Sequence, residues 1–180
     1  MIVEIGSLRP DAAYCRPMPK PQPNDPFETP ERSTIRPSTH QHVAAMEASN
    51  APAVWTGAGM KHLLLRSIGR RSGAVRKAAL PYWEDDGGHP IVVASYAGAP
   101  EHPGWYLNLE DRRANPEVIV RIRADVFWAE AQILDGAEYA EVWEMLTRDR
   151  PYYRDYQALT ERRIPLVRFV RKRAAEPDAR

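Results

Sequence analysis

Apolar residues first recur at helical spacing over residues 38–49, where Ser38 or Thr39 can cap a short helix that Asn50-Ala-Pro52 ends. The period then becomes that of strands. Residues 62–68 read as a buried strand, 69–73 as a turn and 75–84 as a second strand closed by the hairpin signal Asp85-Asp-Gly-Gly88. Residues 90–97 form a third strand. A looser stretch with Gly98, Pro100 and Pro103 leads into a helix carrying Trp105 to Leu109. Two more strands follow at 118–123 and 126–134, then helical patterns at 137–149 and 152–162, and a last strand at 165–170. Hairpins followed by isolated helices predict an α+β domain on an antiparallel sheet, and the strands are too closely spaced for repeated βαβ units.

Eight of the 17 prolines fall between Pro10 and Pro37. Proline removes a backbone donor and fixes φ, so residues 1–36 are expected to be a mostly extended arm, with 1–8 a candidate edge strand. The domain is expected over 37–172, with 173–180 a charged tail. The length of 180 residues suits one domain plus extra chain, and 43% hydrophobic with 27% charged residues suits an ordinary core. A formal charge of +1 speaks against nucleic-acid binding. The single cysteine, Cys15, can close no internal disulfide, which points to a reducing cytoplasm. No secretory signal or spanning stretch is visible, so a soluble protein without membrane contact is expected.

Charge is distributed unevenly. No acidic residue lies between Glu47 and Glu84, yet six cations do: Lys61, Arg66, Arg70, Arg71, Arg76 and Lys77. At their centre, Gly69-Arg-Arg-Ser-Gly73 frames a tight turn whose backbone N–H groups, Ser72 and guanidinium forks suit a phosphate or carboxylate. A solvated basic hairpin would look the same. No G-x-G-x-x-G or Walker lysine motif is present, so nucleotide cofactors lack their usual cradle. The five histidines show no metal-ligand spacing beyond the close His40/His42 pair, and no metal is assigned.

The ordered series Gly69 to Arg76, Val93-Ala-Ser95, His102-Pro-Gly-Trp105 with Asn108-Leu109, Asn115-Pro116, Tyr153-Arg-Asp-Tyr156 and Arg163-Ile-Pro165 resembles the deazaflavin (F420)-dependent nitroreductase and quinone reductase family over about residues 38–170. The resemblance implies a split β-barrel of the FMN-binding-protein type with flanking helices. It also implies coenzyme F420, whose phosphodiester and oligoglutamate tail would match the cationic turn; FMN is the weaker alternative. Carried over residue by residue, Arg70, Arg71, Ser72, Gly73 and Arg76 would hold the phosphate and tail, and Ala78 and Ala79 would lie beside the cofactor. Ser95, Tyr96, Ala97 and Gly98 would line the ring, and Gly104, Trp105 and Asn108 would close over it. Tyr153 and Tyr156, with Ser95, would act on the substrate, in a pocket that Tyr82 and Arg150 complete. Trp105 reads equally well as a core anchor, and the tyrosines as a plug for the barrel's open end.

Arg150 stands where some relatives carry another tyrosine, which suggests a polar or anionic acceptor. The activity implied is hydride transfer from reduced F420 to a quinone, nitro or enone acceptor. Alternatives are a dedicated double-bond reductase of a biosynthetic pathway and a non-catalytic F420- or FMN-binding protein. A homodimer with a seam at Phe127 and Trp128 is a further expectation.

Overall fold

The computed structural model describes residues 31–57 and 59–176. The candidate strand at 1–8, Cys15 and the rest of the arm up to residue 30 lie outside the described residues.

Leu63, Leu64 and Leu65 are consecutive and all fully buried, which a strand allows only if both of its faces are covered. They lie on β2 (Met60–Ile68). Leu63 and Leu65 point into the main core with Val92, Val118, Phe127 and Phe169. Leu64 points outward beneath a helix, against Val43, Met46 and Trp55. That helix is α1 (Arg32–Ala48).

β2 follows the two-residue β1 (Thr56–Gly57) and pairs with β3 (Val75–Glu84) from His62↔Pro81 to Ile68↔Val75. The sheet continues through β4 (Pro90–Val93), β7 (Leu166–Ala174), β6 (Asp125–Ile133) and β5 (Val118–Ile122), every neighbour antiparallel. β5 then returns to β2 through Leu64↔Arg121, Leu65↔Val120 and Arg66↔Ile119, closing six strands into a barrel. Closure removes free edges, and a register shift at Trp128/Ala129 helps bend β6 around it. α2 (Gly104–Glu110) lies between β4 and β5. After β6 come α3 (Gly136–Asp149), capped by the Asp135 carboxylate on Gly136 N–H, and α4 (Tyr152–Ala158). No helix among the described residues is long and apolar enough to cross a membrane.

The split β-barrel is therefore present, with four differences in detail. α1 starts at Arg32, ahead of the expected cap at Ser38 or Thr39, and runs through Pro37. The proline forgoes one hydrogen bond, while Val43 and Met46 downstream bury apolar surface on β2 and β3. β4 stops at Val93 because the chain turns sharply at Ser95. α4 ends at Ala158, short of the expected residue 162. β7 runs on to Ala174, taking in the first residues of the expected tail, because β6 pairs with it up to Phe127↔Ala174. Arg171 stacks on Phe127 with 3.9 Å from its Cζ to the ring centroid, so charged residues there serve the strand.

Candidate active site

The β2–β3 turn is built by backbone. Gly69 N–H donates to Ala74 O at 2.8 Å, and Gly73 N–H donates to Gly69 O at 2.8 Å. A Cβ on Gly69 would meet Ser72 Oγ at 2.8 Å and Arg76 Cγ at 3.1 Å, so a larger residue would push both away from the turn. Ser72 Oγ accepts from Arg76 Nη2 at 3.1 Å and Ala74 N–H at 3.3 Å, tying the arginine to the turn. Arg70, Arg71 and Arg76 are exposed, and among the described residues none of them pairs with a carboxylate. Lys77 and Arg66 differ: both are drawn to Glu47 on α1.

Two asparagines fix the turn to α2. Asn108 Oδ1 accepts from Arg70 N–H at 3.2 Å. Asn115, 1% exposed, accepts from Ile68 N–H at 2.6 Å and donates to Ile68 O and Asn108 O at 2.9 and 2.8 Å. The sequence reading quoted Asn115 only as part of a motif; its partners are too distant along the chain for local patterning to reveal.

A second turn follows β4. Tyr96 and Ala97 both have φ of 50°. This left-handed backbone costs a non-glycine residue roughly 1–2 kcal/mol, so its surroundings must hold it. Arg162 supplies the restraint: its guanidinium donates to Ala94 O at 3.1 Å, Ser95 O at 2.7 Å and Ala99 O at 2.9 Å, and lies 3.3 Å from His102 Nδ1. Burial and the Arg162 charge push the His102 pKa down, consistent with a neutral ring beside the cation. Nothing in the local sequence marked Arg162.

α4 brings three phenols together. The Tyr152 and Tyr153 ring centroids are 4.6 Å apart, and Tyr156 lies 5.9–6.0 Å from each. Tyr153 and Tyr156 are each 4% exposed. Burial drives the Tyr153 pKa far above the usual phenol value, so its hydroxyl stays protonated.

One cleft of about 760 Å³ joins these three parts. Arg70, Arg71, Ser72 and Arg76 line its turn end; Ala78 and Ala79 lie along β3; Ser95, Tyr96 and Ala97 line the strained turn. Gly104, Trp105 and Asn108 come from α2, and Tyr153 and Tyr156 from α4. Residues not foreseen complete the wall: Ile35, Thr39 and His40 of α1, Met60 of β2, Lys77 of β3 and Tyr152.

Four expected residues lie elsewhere. Tyr82, 4% exposed, belongs to the inward row of β3 with Ala78 and Leu80, and lines a separate recess with Phe127 and Phe169. Arg150 does not line the cleft; its Nη2 donates to Tyr82 O at 3.2 Å behind the phenols. Gly98 is pressed against α4, where a Cβ would meet Tyr156 O and Leu159 Cβ at 2.8 Å. Gly73, at φ 64°, shapes the turn without joining the wall. Phe127, 3% exposed, faces the core and leaves only Trp128 of the expected dimer seam partly accessible.

The lining suits a long ligand with an anionic chain at the arginine end and a flat ring between the strained turn and α2. This fold and this cleft define a split-barrel protein whose cleft runs from an arginine-lined turn to a wall of phenols. The sequence profile of the F420H(2)-dependent quinone reductases matches residues 38–171. An F420H(2)-dependent quinone reductase of Mycobacterium tuberculosis H37Rv is 33% identical over 113 residues, covering 61% of this chain and 73% of the relative. The solved structure of an F420-H2-dependent reductase, FDR-A, is 34% identical with a TM-score of 0.51, covering 61% of this chain and 93% of its own. Another solved structure, described as a domain-swapped dimer, is 28% identical with a TM-score of 0.55, covering 77% and 98%. The chain belongs to the F420H(2)-dependent quinone reductase family, oxidoreductases whose cofactor is reduced coenzyme F420.

Proposed function

We propose that this protein transfers a hydride from reduced F420 to a quinone or a related conjugated acceptor, nitroaromatics and enones included, at the α4 end of the cleft. The observation that carries the reading is the continuity of one cleft from three arginines, unpaired with any carboxylate among the described residues, to three clustered phenols.

In this reading Arg70, Arg71, Ser72 and Arg76 grip the phosphodiester and glutamates, since guanidinium forks pair with such oxygens bidentately. Ala78 and Ala79 leave room beside the cofactor. Ser95, Tyr96 and Ala97 on one side, and Gly104, Trp105 and Asn108 on the other, hold the ring. When bound, the deazaflavin supplies a hydride and not single electrons, because carbon replaces the reactive flavin nitrogen. The acceptor then gains a hydride and a proton, and negative charge builds on its oxygen in between. Phenols in a dry wall are suited to stabilising that charge by hydrogen bonding. Tyr153, Tyr156 and Ser95 are the acceptor-side residues.

A homodimer in a reducing cytoplasm completes the proposal. The relative described as a domain-swapped dimer supports pairing, and sedimentation at the mass of a single chain would remove it.

The test is the loss of reduced F420, followed by absorbance, with a panel of quinones, nitroaromatics and enones. Turnover of quinones is expected. Tight uptake of F420 with no turnover of any acceptor would leave a binding protein instead.

A further inference from the structure

Arg162 lies behind the cleft wall, and the functional reading above gives it no part in the reaction. Its half-buried guanidinium joins two separate pieces of that wall. On one side it donates to the three carbonyls that frame the strained turn, Ala94 O, Ser95 O and Ala99 O, at 3.1, 2.7 and 2.9 Å. On the other, its Nη1 lies 3.3 Å from Nδ1 of His102, two residues before Gly104 opens α2. A guanidinium can only donate, so the imidazole nitrogen is the acceptor. Ser95, Tyr96 and Ala97 line the cleft from the turn, and Gly104 and Trp105 line it from α2, but Arg162 does not line it. One cation therefore ties both walls of the ring slot together without entering the slot.

The arginine is itself held from the helix of the phenols. Gln157 of α4 donates from Nε2 to Arg162 O at 2.9 Å and to Thr160 O at 3.2 Å, and its Oε1 accepts from Ile164 N–H at 2.9 Å. Tyr139 O–H closes the same segment on Ile164 O at 2.9 Å. Among the described residues no carboxylate pairs with Arg162, so its donors are committed to the turn and to His102. Those contacts are what offsets the left-handed backbone of Tyr96 and Ala97, each at φ 50°.

Resting on the functional reading above, we propose that Arg162 is the positioning residue of the ring site. It holds the Tyr96–Ala97 backbone in its left-handed form and the start of α2 at a fixed distance from it, so that a slot for the flat ring exists before the cofactor arrives. A slot already formed spares the ligand the cost of ordering it, and it fixes the face that the ring turns to the acceptor. Arg162 acts through backbone alone and touches neither cofactor nor acceptor.

The experiment compares Arg162→Met, Arg162→Lys and Ala97→Gly with the Arg162→Met/Ala97→Gly double variant, by calorimetry with F420 and by reduction of a benzoquinone with reduced F420. Arg162→Met should raise the F420 dissociation constant roughly tenfold and lower kcat at saturating cofactor by a similar factor. The salt dependence of binding should stay as it was, because the arginine turn that meets the anionic tail is untouched. Arg162→Lys keeps the charge but reaches fewer acceptors, and should fall in between. Glycine enters the left-handed region freely, so Ala97→Gly should improve affinity more in the Arg162→Met background than in the unaltered one. A further readout needs no cofactor: amide hydrogen exchange over 95–99 and 102–105 should quicken in Arg162→Met while that of the 69–73 turn does not change. Unchanged affinity in Arg162→Met, an equal effect of glycine in both backgrounds, or unaltered exchange would each overturn the proposal. If Arg162→Met does not fold, Arg162→Lys with and without Ala97→Gly decides in the same way. If the unaltered protein takes up no F420, the functional reading fails, and hydrogen exchange alone decides whether Arg162 holds the two walls.

Discussion

At the hairpin end of the cleft the lining groups are exposed and charged; at the α4 end they are buried and neutral. Arg70, Arg71 and Arg76 stand in solvent on a turn braced from beneath by Asn115. Tyr153 and Tyr156 sit 4% exposed in an aromatic cluster. A charged, solvated grip tolerates small displacements and weakens with salt, whereas a packed phenol wall works only if its oxygens are placed to a fraction of an ångström. The two ends should therefore fail differently: one through affinity, the other through rate.

The largest effect is expected from Arg71→Ala combined with Arg76→Ala. Removing two charge-assisted contacts should raise the F420 dissociation constant about 100-fold, with kcat at saturating cofactor nearly unchanged. Calorimetry in low and high salt checks it. An unchanged affinity would mean that the turn is only a solvated hairpin.

Asn115→Ala comes next. It orphans the buried Ile68 N–H and unties the turn from α2, so a stability loss of about 2 kcal/mol is expected in denaturant unfolding. F420 binding should weaken along with it, through a turn that keeps all its charges. A stability loss with intact affinity would show that the turn needs no brace.

Tyr153→Phe keeps the ring and loses only its buried hydroxyl. Steady-state kinetics should give a kcat about fivefold lower with the F420 affinity unmoved. A change in affinity without one in kcat would reverse the roles of the two ends.

These two ends were not equally legible in the sequence. The cationic turn could be read because its parts are contiguous: two glycines, a serine and arginines inside an acid-free window. Tyr153 and Tyr156 were picked out by the family resemblance, and helical spacing added only that they share one face. Tyr82 shares its inward row with Ala78 and Leu80, which do line the cleft, but lies further along β3, where that row opens onto the other recess. Arg150 was expected at the mouth because it stands where some relatives carry a tyrosine; its partner, the Tyr82 carbonyl, lies 68 positions away and leaves no local signal. Arg162 and Asn115 escaped for the same reason, since their work is done on backbone carbonyls of remote segments. α1 was cut short because residues 1–36 were read as an extended proline-rich arm with the cap at Ser38 or Thr39, although packing of Met46 and Val43 carries the helix back through Pro37.

The smallest expected effect separates the ends by pH. His62 on β2 is largely buried, with its Nδ1 at 3.0 Å from Met60 O and its ring centroid 4.7 Å from that of His42. Burial first, then the charges of His42 and Arg150, lower its pKa to about 4. Between the ordinary value near 6.5 and this depressed one, the unfolded chain takes up a proton that the folded chain refuses. Stability should therefore fall as pH drops from about 6.5 towards 4, with about 1 kcal/mol already lost by pH 6. His62→Gln should flatten this slope in denaturant unfolding, and an unaltered slope would assign the acid sensitivity elsewhere. At the other end F420 affinity should stay level over the same range while the β2 side of the phenol wall, beginning at Met60, loosens.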